Sequence, residues 1–310
     1  MSILISGSNG FVGSNLVPYL QEREYLIKSV TRSPIKCDEI SWEVFLENTS
    51  AINYDVFIHL AGKAHDTKNT TDEKEYFDVN SDLTIKSFNL FLQSPACTFI
   101  YLSSVKAVAD TVDGALTEDV KPNPQTPYGQ SKQKAEDYLL NHPLVSHKRV
   151  FILRPCMIHG PGNKGNLNLL YKFVQKHIPY PLAAFNNQRS FLSISNLNFI
   201  IERLISDPTI PGGVYNVADD EPLSTNAVIT IIGQVNGLTP RLWKVSKEFI
   251  RLIALIGDKL HLPLNTERLK KLTENYVVSN DKIKKALCID HLPVSSPEGL
   301  ITTIKSFSIR

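Results

Sequence analysis

Cysteine is scarce and scattered in this chain of 310 residues. Cys37, Cys97, Cys156 and Cys288 form no Cys-x-x-Cys pair and no metal-ligand spacing. That excludes a disulfide-stapled framework and a cysteine-ligated zinc module, and the four read as reduced thiols of a cytoplasmic protein. A charge excess is also lacking. The net charge of +2 gives no electrostatic reason for a nucleic-acid partner or an acidic membrane surface. Long apolar runs are absent as well, and no basic-then-apolar leader is read ahead of the first strand. The longest candidate, Phe249 to Ile256, is short, carries Arg251 and reads as a packed helix, so no membrane insertion is expected.

The material that is present suits one large or two modest globular domains with a substantial core. Ser2 to Ser6 is an apolar run, followed by Gly7-Ser8-Asn9-Gly10-Phe11-Val12-Gly13 and a helical pattern to about Gln21. Strand, glycine turn and helix in this order make a phosphate site. Glycine allows the tight turn and a close approach of the backbone, and the helix N-terminus receives the anion. The spacing is G-x-x-G-x-x-G, so a plain glycine turn is the competing reading. Gly7, Asn9, Gly10, Phe11, Val12 and Gly13 are the candidate cofactor contacts.

A second strand, Leu26 to Thr31, ends in Thr31-Arg32-Ser33 without an acidic residue. A ribose with a free 2′-hydroxyl is usually held by an acid at this place, and a 2′-phosphate prefers Arg. NADP is therefore favoured over NAD, with Arg32 on the 2′-phosphate; adenine stacking and a solvated charge are its other readings. A third strand, Asp55 to Leu60, runs into Ala61 and Gly62, and Leu60, Ala61 and Gly62 leave room for a cofactor at the strand's carboxyl end. A helix is expected from Asp72 to about Leu92, with Asn80 inside it as a surface residue or a bridge between backbone groups. The strand Thr98 to Ser103 ends in Ser103-Ser104. The polar stretch Val105 to Gln125 is too long for an idle connection.

It delivers the chain to Tyr128, four residues before Lys132 at the head of a helix from Ser131 to Leu140. Residues i and i+4 share a helix face, so the ammonium can lie near the phenol, favour the phenolate and lower the Tyr pKa. That makes an acid/base couple for a sugar or alcohol hydroxyl. The strand Arg149 to Leu153 ends in Arg154-Pro155. The alternation of strands and helices predicts an α/β fold, a Rossmann-type doubly wound parallel sheet.

In order along the chain stand Gly7-x-x-Gly10-x-x-Gly13, His59-Leu60-Ala61-Gly62, Asn80, Leu102-Ser103-Ser104, Tyr128-x-x-x-Lys132 and Arg154-Pro155. This set resembles the extended short-chain dehydrogenases/reductases of the NAD-dependent epimerase/dehydratase family, close to UDP-glucose 4-epimerase-like enzymes. The resemblance covers about the first two-thirds of the chain. It implies Tyr128 as acid/base, Lys132 on the nicotinamide ribose and lowering the Tyr pKa, and Ser104 on the reacting oxygen. Ser103 is implied beside the cofactor, and Asn80 as a structural or proton-relay residue. On the substrate side it implies Asn166, which would equally cap the helix from Leu167, and Arg189 on the pyrophosphate. No second phosphate-binding Arg is evident among Arg241, Arg251 and Arg268.

The chain also departs from the family. Dehydratases place Asp-Glu after the catalytic Ser or Thr, whereas Val105-Lys106 stand here, so 4,6-dehydration is not expected. Lys106 is a cation beside the substrate or a solvated loop charge. The expected activity is hydride transfer at C4 of a nucleotide sugar of the UDP-hexose class. A UDP-4-keto-sugar reductase is favoured over a 4-epimerase of a UDP-hexose or UDP-N-acetylhexosamine, and a non-catalytic dinucleotide sensor is the third reading. The dinucleotide domain is expected over 1–165 with returning segments near 189–217. A smaller C-terminal substrate-binding domain is expected over 166–188 and 218–310. A homodimer would be sought at helices 72–92 and 131–140.

Overall fold

The computed structural model describes residues 1–47, 52–63, 72–163, 166–260 and 264–307. The amino-terminal half runs β1 (Ser2–Ser6), α1 (Phe11–Gln21), β2 (Leu26–Thr31), β3 (Glu39–Ser41), α2 (Trp42–Glu47), β4 (Val56–His59), α3 (Glu73–Tyr76), α4 (Leu83–Gln93), β5 (Thr98–Leu102), β6 (Ala115–Leu116) and α5 (Pro127–Asn141). It continues with β7 (Arg149–Pro155), β8 (Met157–His159), α6 (Asn166–Gln175), β9 (Phe191–Ser193), α7 (Ile194–Ser206) and β10 (Gly213–Val217). The last stretch holds α8 (Thr225–Val235), α9 (Lys247–Leu260), α10 (Thr266–Thr273), β11 (Val277–Val278), α11 (Asp281–Leu287) and α12 (Ser296–Phe307).

Seven strands form one parallel sheet in the order β10-β7-β5-β4-β1-β2-β3. The chain moves outward from β1 to β3, then crosses back to β4 and proceeds the other way. That reversal opens a crevice at the carboxyl ends of β1 and β4, the place where open α/β sheets bind ligands. Side chains alternate between two cores, as the strand period requires. Ile3, Ile5, Ile58, Ile100 and Leu153 face one side, with Leu16 of α1 and Leu197, Ile201 and Leu204 of α7. Leu4, Phe57, Phe99, Tyr101 and Ile152 face the other, with Phe45, Phe88, Phe91 and Leu139. Phe57 and Phe99 meet edge-on with ring centroids 5.3 Å apart, and Phe88 stands 5.3 Å from Phe99. Pairs of this kind add about 0.5–1.5 kcal/mol beyond their buried area.

The helix expected over 72–92 is present without a break from Glu73 to Gln93, but its middle is widened into a π-helical stretch. Residues Phe77–Asp82 make one π-turn between α3 and α4, with the Leu83 N–H donating to the Asp78 carbonyl. Helix α5 starts earlier than the apolar pattern indicates, because the Thr126 side chain accepts from the Gly129 N–H and Pro127 fits the first turn. Tyr128 thereby falls inside the helix. A third core belongs to the carboxyl-terminal helices and includes Leu167, Ile229, Ile232, Ile250, Leu269, Leu300 and Ile304. Helix α11 instead places Ile283 and Leu287 against the sheet. Among the described residues no helix is long and apolar enough to cross a membrane.

Candidate active site

The site begins where β1 turns into α1. Gly7 has φ +75°, and a Cβ there would lie 2.7 Å from the Ala61 amide nitrogen. A Cβ on Gly13 would lie 2.4 Å from the Gly7 carbonyl oxygen and 2.5 Å from the Ser8 Cα. Both glycines are fixed by close backbone approach, and the Gly10 N–H donates to the Gly7 carbonyl at 3.0 Å to close the turn. Thr126, Ser193, Ser224 and Asn265 cap their helices with side chains, but α1 starts at Gly10 without a side-chain cap and without an acid in its first turn. Its first N–H groups and the positive end of its dipole stay open to an anion. The Ser8 hydroxyl beside them is buried without a hydrogen-bond partner. These features fit the pyrophosphate of a dinucleotide. Val12 packs against the core and Phe11 is half-buried, while Asn9 is exposed. Arg32 is exposed just beyond β2, and no carboxylate stands among residues 31–33.

The β4 and β5 ends bring the remaining groups together. Leu60 donates its N–H to the Ser6 carbonyl at 3.1 Å, and the chain then passes Ala61 to Gly62. A Cβ on Gly62 would meet Asn80 Oδ1 at 3.0 Å and Lys132 Nζ at 3.2 Å, which shows both heads converging on this point. Asn80, fully buried in the π-turn, accepts from the Lys63 N–H at 2.8 Å. Its amide donates to the Lys63 carbonyl and to Ser131 Oγ, each at 3.1 Å. It is a bridge between β4, the π-turn and α5, and not a surface residue. Lys132 Nζ donates to the Leu102 carbonyl at 2.9 Å and lies 4.9 Å from the Tyr101 ring centroid.

Tyr128 sits one turn before Lys132, with its ring edge-on to Tyr76 at 6.1 Å and its hydroxyl hydrogen-bonded to the Ser104 side chain. Burial holds the phenol above its ordinary pKa and the Ser104 contact works against it. The expected lowering by Lys132 is thus not what the structure shows. The ammonium is engaged by the Leu102 carbonyl instead. Burial lowers Lys132 itself to about 8, opposed by Glu136. Ser103 also differs from expectation. Successive residues at a strand end point to opposite sides, and the Ser103 hydroxyl donates to Glu136 while Ser104 faces Tyr128. Glu136 is held in turn by Arg154, whose Nε lies 3.1 and 3.0 Å from its two oxygens. The sequence reading passed over this buried pair, although the i+4 step from Lys132 to Glu136 pointed to it.

His59 closes a hydrogen-bonded chain beneath the site. The Ala61 N–H donates to Ser6 Oγ at 3.3 Å, and the Ser6 hydroxyl lies 2.8 Å from His59 Nδ1. On the other side His59 Nε2 lies 3.0 Å from Thr84 Oγ1, whose proton goes to the Asn80 carbonyl at 2.8 Å. Nε2 is therefore the donor to Thr84 and Nδ1 accepts from Ser6. Burial, with Lys132 adding, lowers the ring's pKa to about 3.

Beyond Ser104, Lys106 Nζ donates to the Asp110 carbonyl at 2.8 Å and lies 4.3 Å over the Tyr276 ring. The Tyr276 hydroxyl donates to the Ala109 carbonyl at 2.7 Å. Arg189 lies 3.6 Å from Glu274, and its backbone pairs with Leu223. Arg189 and Glu274 both act through their charge on Lys106 and on Tyr276. Glu274 and Tyr276 carried no motif, and only the fold brings them here. Asn166 opens α6, but its side chain lies outside the described residues, as do Lys164 and Gly165. His65 also lies outside them. His159 is buried elsewhere, 2.9 Å from Thr303 Oγ1 and 3.7 Å from Asp219. Among the described residues no group of acids, histidines and cysteines could hold a metal.

Known proteins resemble this chain in sequence and in fold. UDP-glucose 4-epimerase of Vibrio cholerae is 35% identical over 242 residues, covering 74% of this chain and 74% of its own. GDP-6-deoxy-D-mannose reductase of Pseudomonas aeruginosa is 25% identical over 247 residues, covering 75% and 79%. The solved structure of MoeE5 in complex with UDP-glucose and NAD has the same fold, with a TM-score of 0.76, 21% identity and coverage of 100% and 99%. The family model for NAD-dependent epimerases/dehydratases matches residues 3–218, from the first strand of the sheet through its last. Glycine turn, Asn80 bridge and Ser104–Tyr128–Lys132 cluster all lie within that span, and the chain belongs to the NAD-dependent epimerase/dehydratase family.

Proposed function

We propose that the protein transfers hydride reversibly at C4 of a UDP-hexose and works as a 4-epimerase. The observation that carries this is the convergence of Ser104, Tyr128, Lys132 and Asn80 at the β4 and β5 ends, with no free carboxylate beside Ser104 among the described residues. A 4,6-dehydration needs an acid and a base there. Val105 and Lys106 follow Ser104, Asp110 accepts from the Gln125 N–H at 2.8 Å, Glu136 is bound to Arg154 and Glu274 faces Arg189. The family membership and the 35% identical 4-epimerase point the same way.

A nicotinamide dinucleotide, when bound, supplies the hydride chemistry. Gly7, Gly10 and the α1 N-terminus hold its pyrophosphate, and Lys132 and Asn80 border the place for its nicotinamide end. Tyr128 passes a proton to and from the sugar O4, and Ser104 orients that oxygen. Lys106 and Arg189 hold the diphosphate, as the planar fork of Arg is suited to do. Turnover of UDP-glucose or UDP-N-acetylglucosamine without added cofactor, followed by the C4 proton signal in NMR, tests the reading. No epimer from either sugar would overturn it.

A second reading, a UDP-4-keto-sugar reductase using NADPH, rests on Arg32. No acid stands at the end of β2 to hold a ribose hydroxyl. Arg32→Ala should then weaken NADPH by about 1.5–3 kcal/mol and spare NADH; equal losses return Arg32 to the surface.

A further inference from the structure

The segment that reads as a packed helix is packed on one side only. In α9, Ile250, Ala254 and Gly257 are buried against the third core. Phe249, Leu252, Ile256 and Leu260 are 55%, 53%, 45% and 64% exposed. At 3.6 residues per turn these four fall within an arc of about 80°, a continuous apolar stripe bordering the packed face. Trp243 before the helix and Leu272 in α10 are also about half exposed.

The charge around the stripe is one-sided. Residues 241–272 carry eight Lys and Arg against three Asp and Glu, and all eight basic residues are exposed. The whole chain has a net charge of only +2, so its positive charge is concentrated here and the remainder is net acidic. A two-fold contact between copies would set this cationic surface against itself. An acidic bilayer surface satisfies both features at once. The apolar stripe enters the headgroup boundary, and the long Lys and Arg stems keep their charges at lipid phosphates.

We propose that helices α9 and α10 dock the protein on an anionic phospholipid bilayer, laying the Phe249–Leu252–Ile256–Leu260 stripe into the interface without spanning it. The chain runs from α10 directly into Glu274, the partner of Arg189. Docking therefore ties the proposed sugar-side cluster to the lipid surface. The inference does not depend on the sugar chemistry, because it rests on exposure and charge alone.

Co-sedimentation of the full chain with vesicles tests it, using equal parts phosphatidylglycerol and phosphatidylcholine beside phosphatidylcholine alone. Binding to the anionic vesicles is expected, at least about tenfold weaker without phosphatidylglycerol. Leu252→Glu with Ile256→Glu should reduce it at least about tenfold, with the melting temperature unchanged because both side chains are exposed. Arg251→Glu with Lys259→Glu should flatten its salt dependence. Absence of binding to anionic vesicles would overturn the proposal, as would equal binding by the Leu252/Ile256 variant. So would a wild-type dimer in solution that this variant dissolves, since the stripe would then belong to a second copy.

Discussion

Tyr128 keeps its proton at neutral pH because burial disfavours the phenolate, while the Ser104 hydroxyl gives the oxygen a fixed partner. A phenol in that state suits the proposed protonation of the sugar oxygen at C4. Tyr128→Phe keeps the ring and its edge-on contact with Tyr76 but removes the exchanging proton. Activity should fall by about 10²–10⁴-fold, with folding and dinucleotide binding unchanged; a variant keeping more than about a tenth of the parental kcat would falsify the assignment. Lys132 makes a second test, through stability. Its folded pKa of about 8 lies below the ordinary 10.5. Between those values the unfolded chain holds a proton that the folded chain has released, so the parent gains stability as pH rises through this window. The gain is on the order of 3 kcal/mol. Lys132→Met lacks it, so its stability relative to the parent should decline from pH 7 to pH 10.5 in urea unfolding. A constant difference would mean that the amine is not desolvated.

At the scale of elements, much of the design was legible. The strands, the glycine turn and the Tyr128–Lys132 helix face follow from period, Gly spacing and i+4 geometry, which are local properties. The π-turn at Phe77–Asp82 is not local. It is held by Asn80 reaching Lys63 and Ser131, residues that the sequence separates by 17 and 51 positions. Ser103 and Ser104 looked equivalent for the same reason, since only the Glu136–Arg154 pair on one side of the strand tells them apart. Lys148 shows how much one such residue can fix. Its ammonium donates to the carbonyls of Phe91, Ser94 and Ala96 at 3.0, 2.8 and 2.6 Å, closing the end of α4 and the turn into β5. Three buried carbonyls would lose their donor in Lys148→Met. A loss of about 2–4 kcal/mol is expected in chemical denaturation, with Lys148→Arg restoring part of it. A loss within about 0.5 kcal/mol would show that water replaces the ammonium at no cost.

At the scale of the molecule, the proposed cofactor side and the proposed sugar side are built differently. The first comes from consecutive strand ends within residues 1–132, so a motif scan finds it. The second is a junction of distant segments. The Arg189 N–H donates to the Leu223 carbonyl at 3.0 Å, the Ser190 N–H to the Tyr276 carbonyl at 2.9 Å, and Lys106 lies over the Tyr276 ring. Such a junction leaves no spacing in the sequence, which is why Glu274 and Tyr276 went unread. It also sets up a competition. Arg189 already faces a carboxylate 3.6 Å away, about a quarter exposed and screened by water. On the proposed reading, a diphosphate takes the guanidinium from Glu274 as it binds. Arg189→Ala should therefore raise KM strongly and leave kcat comparatively intact, the pattern of lost uniform binding. Glu274→Gln removes the competing charge at similar shape and should lower KM, by up to about fivefold for roughly 1 kcal/mol. The two effects must be coupled: in the Arg189→Ala background, Glu274→Gln should no longer lower KM. Steady-state kinetics on the four proteins measures this directly. If Glu274→Gln lowers KM equally with and without Arg189, the diphosphate is held elsewhere and the ion pair only joins the two segments.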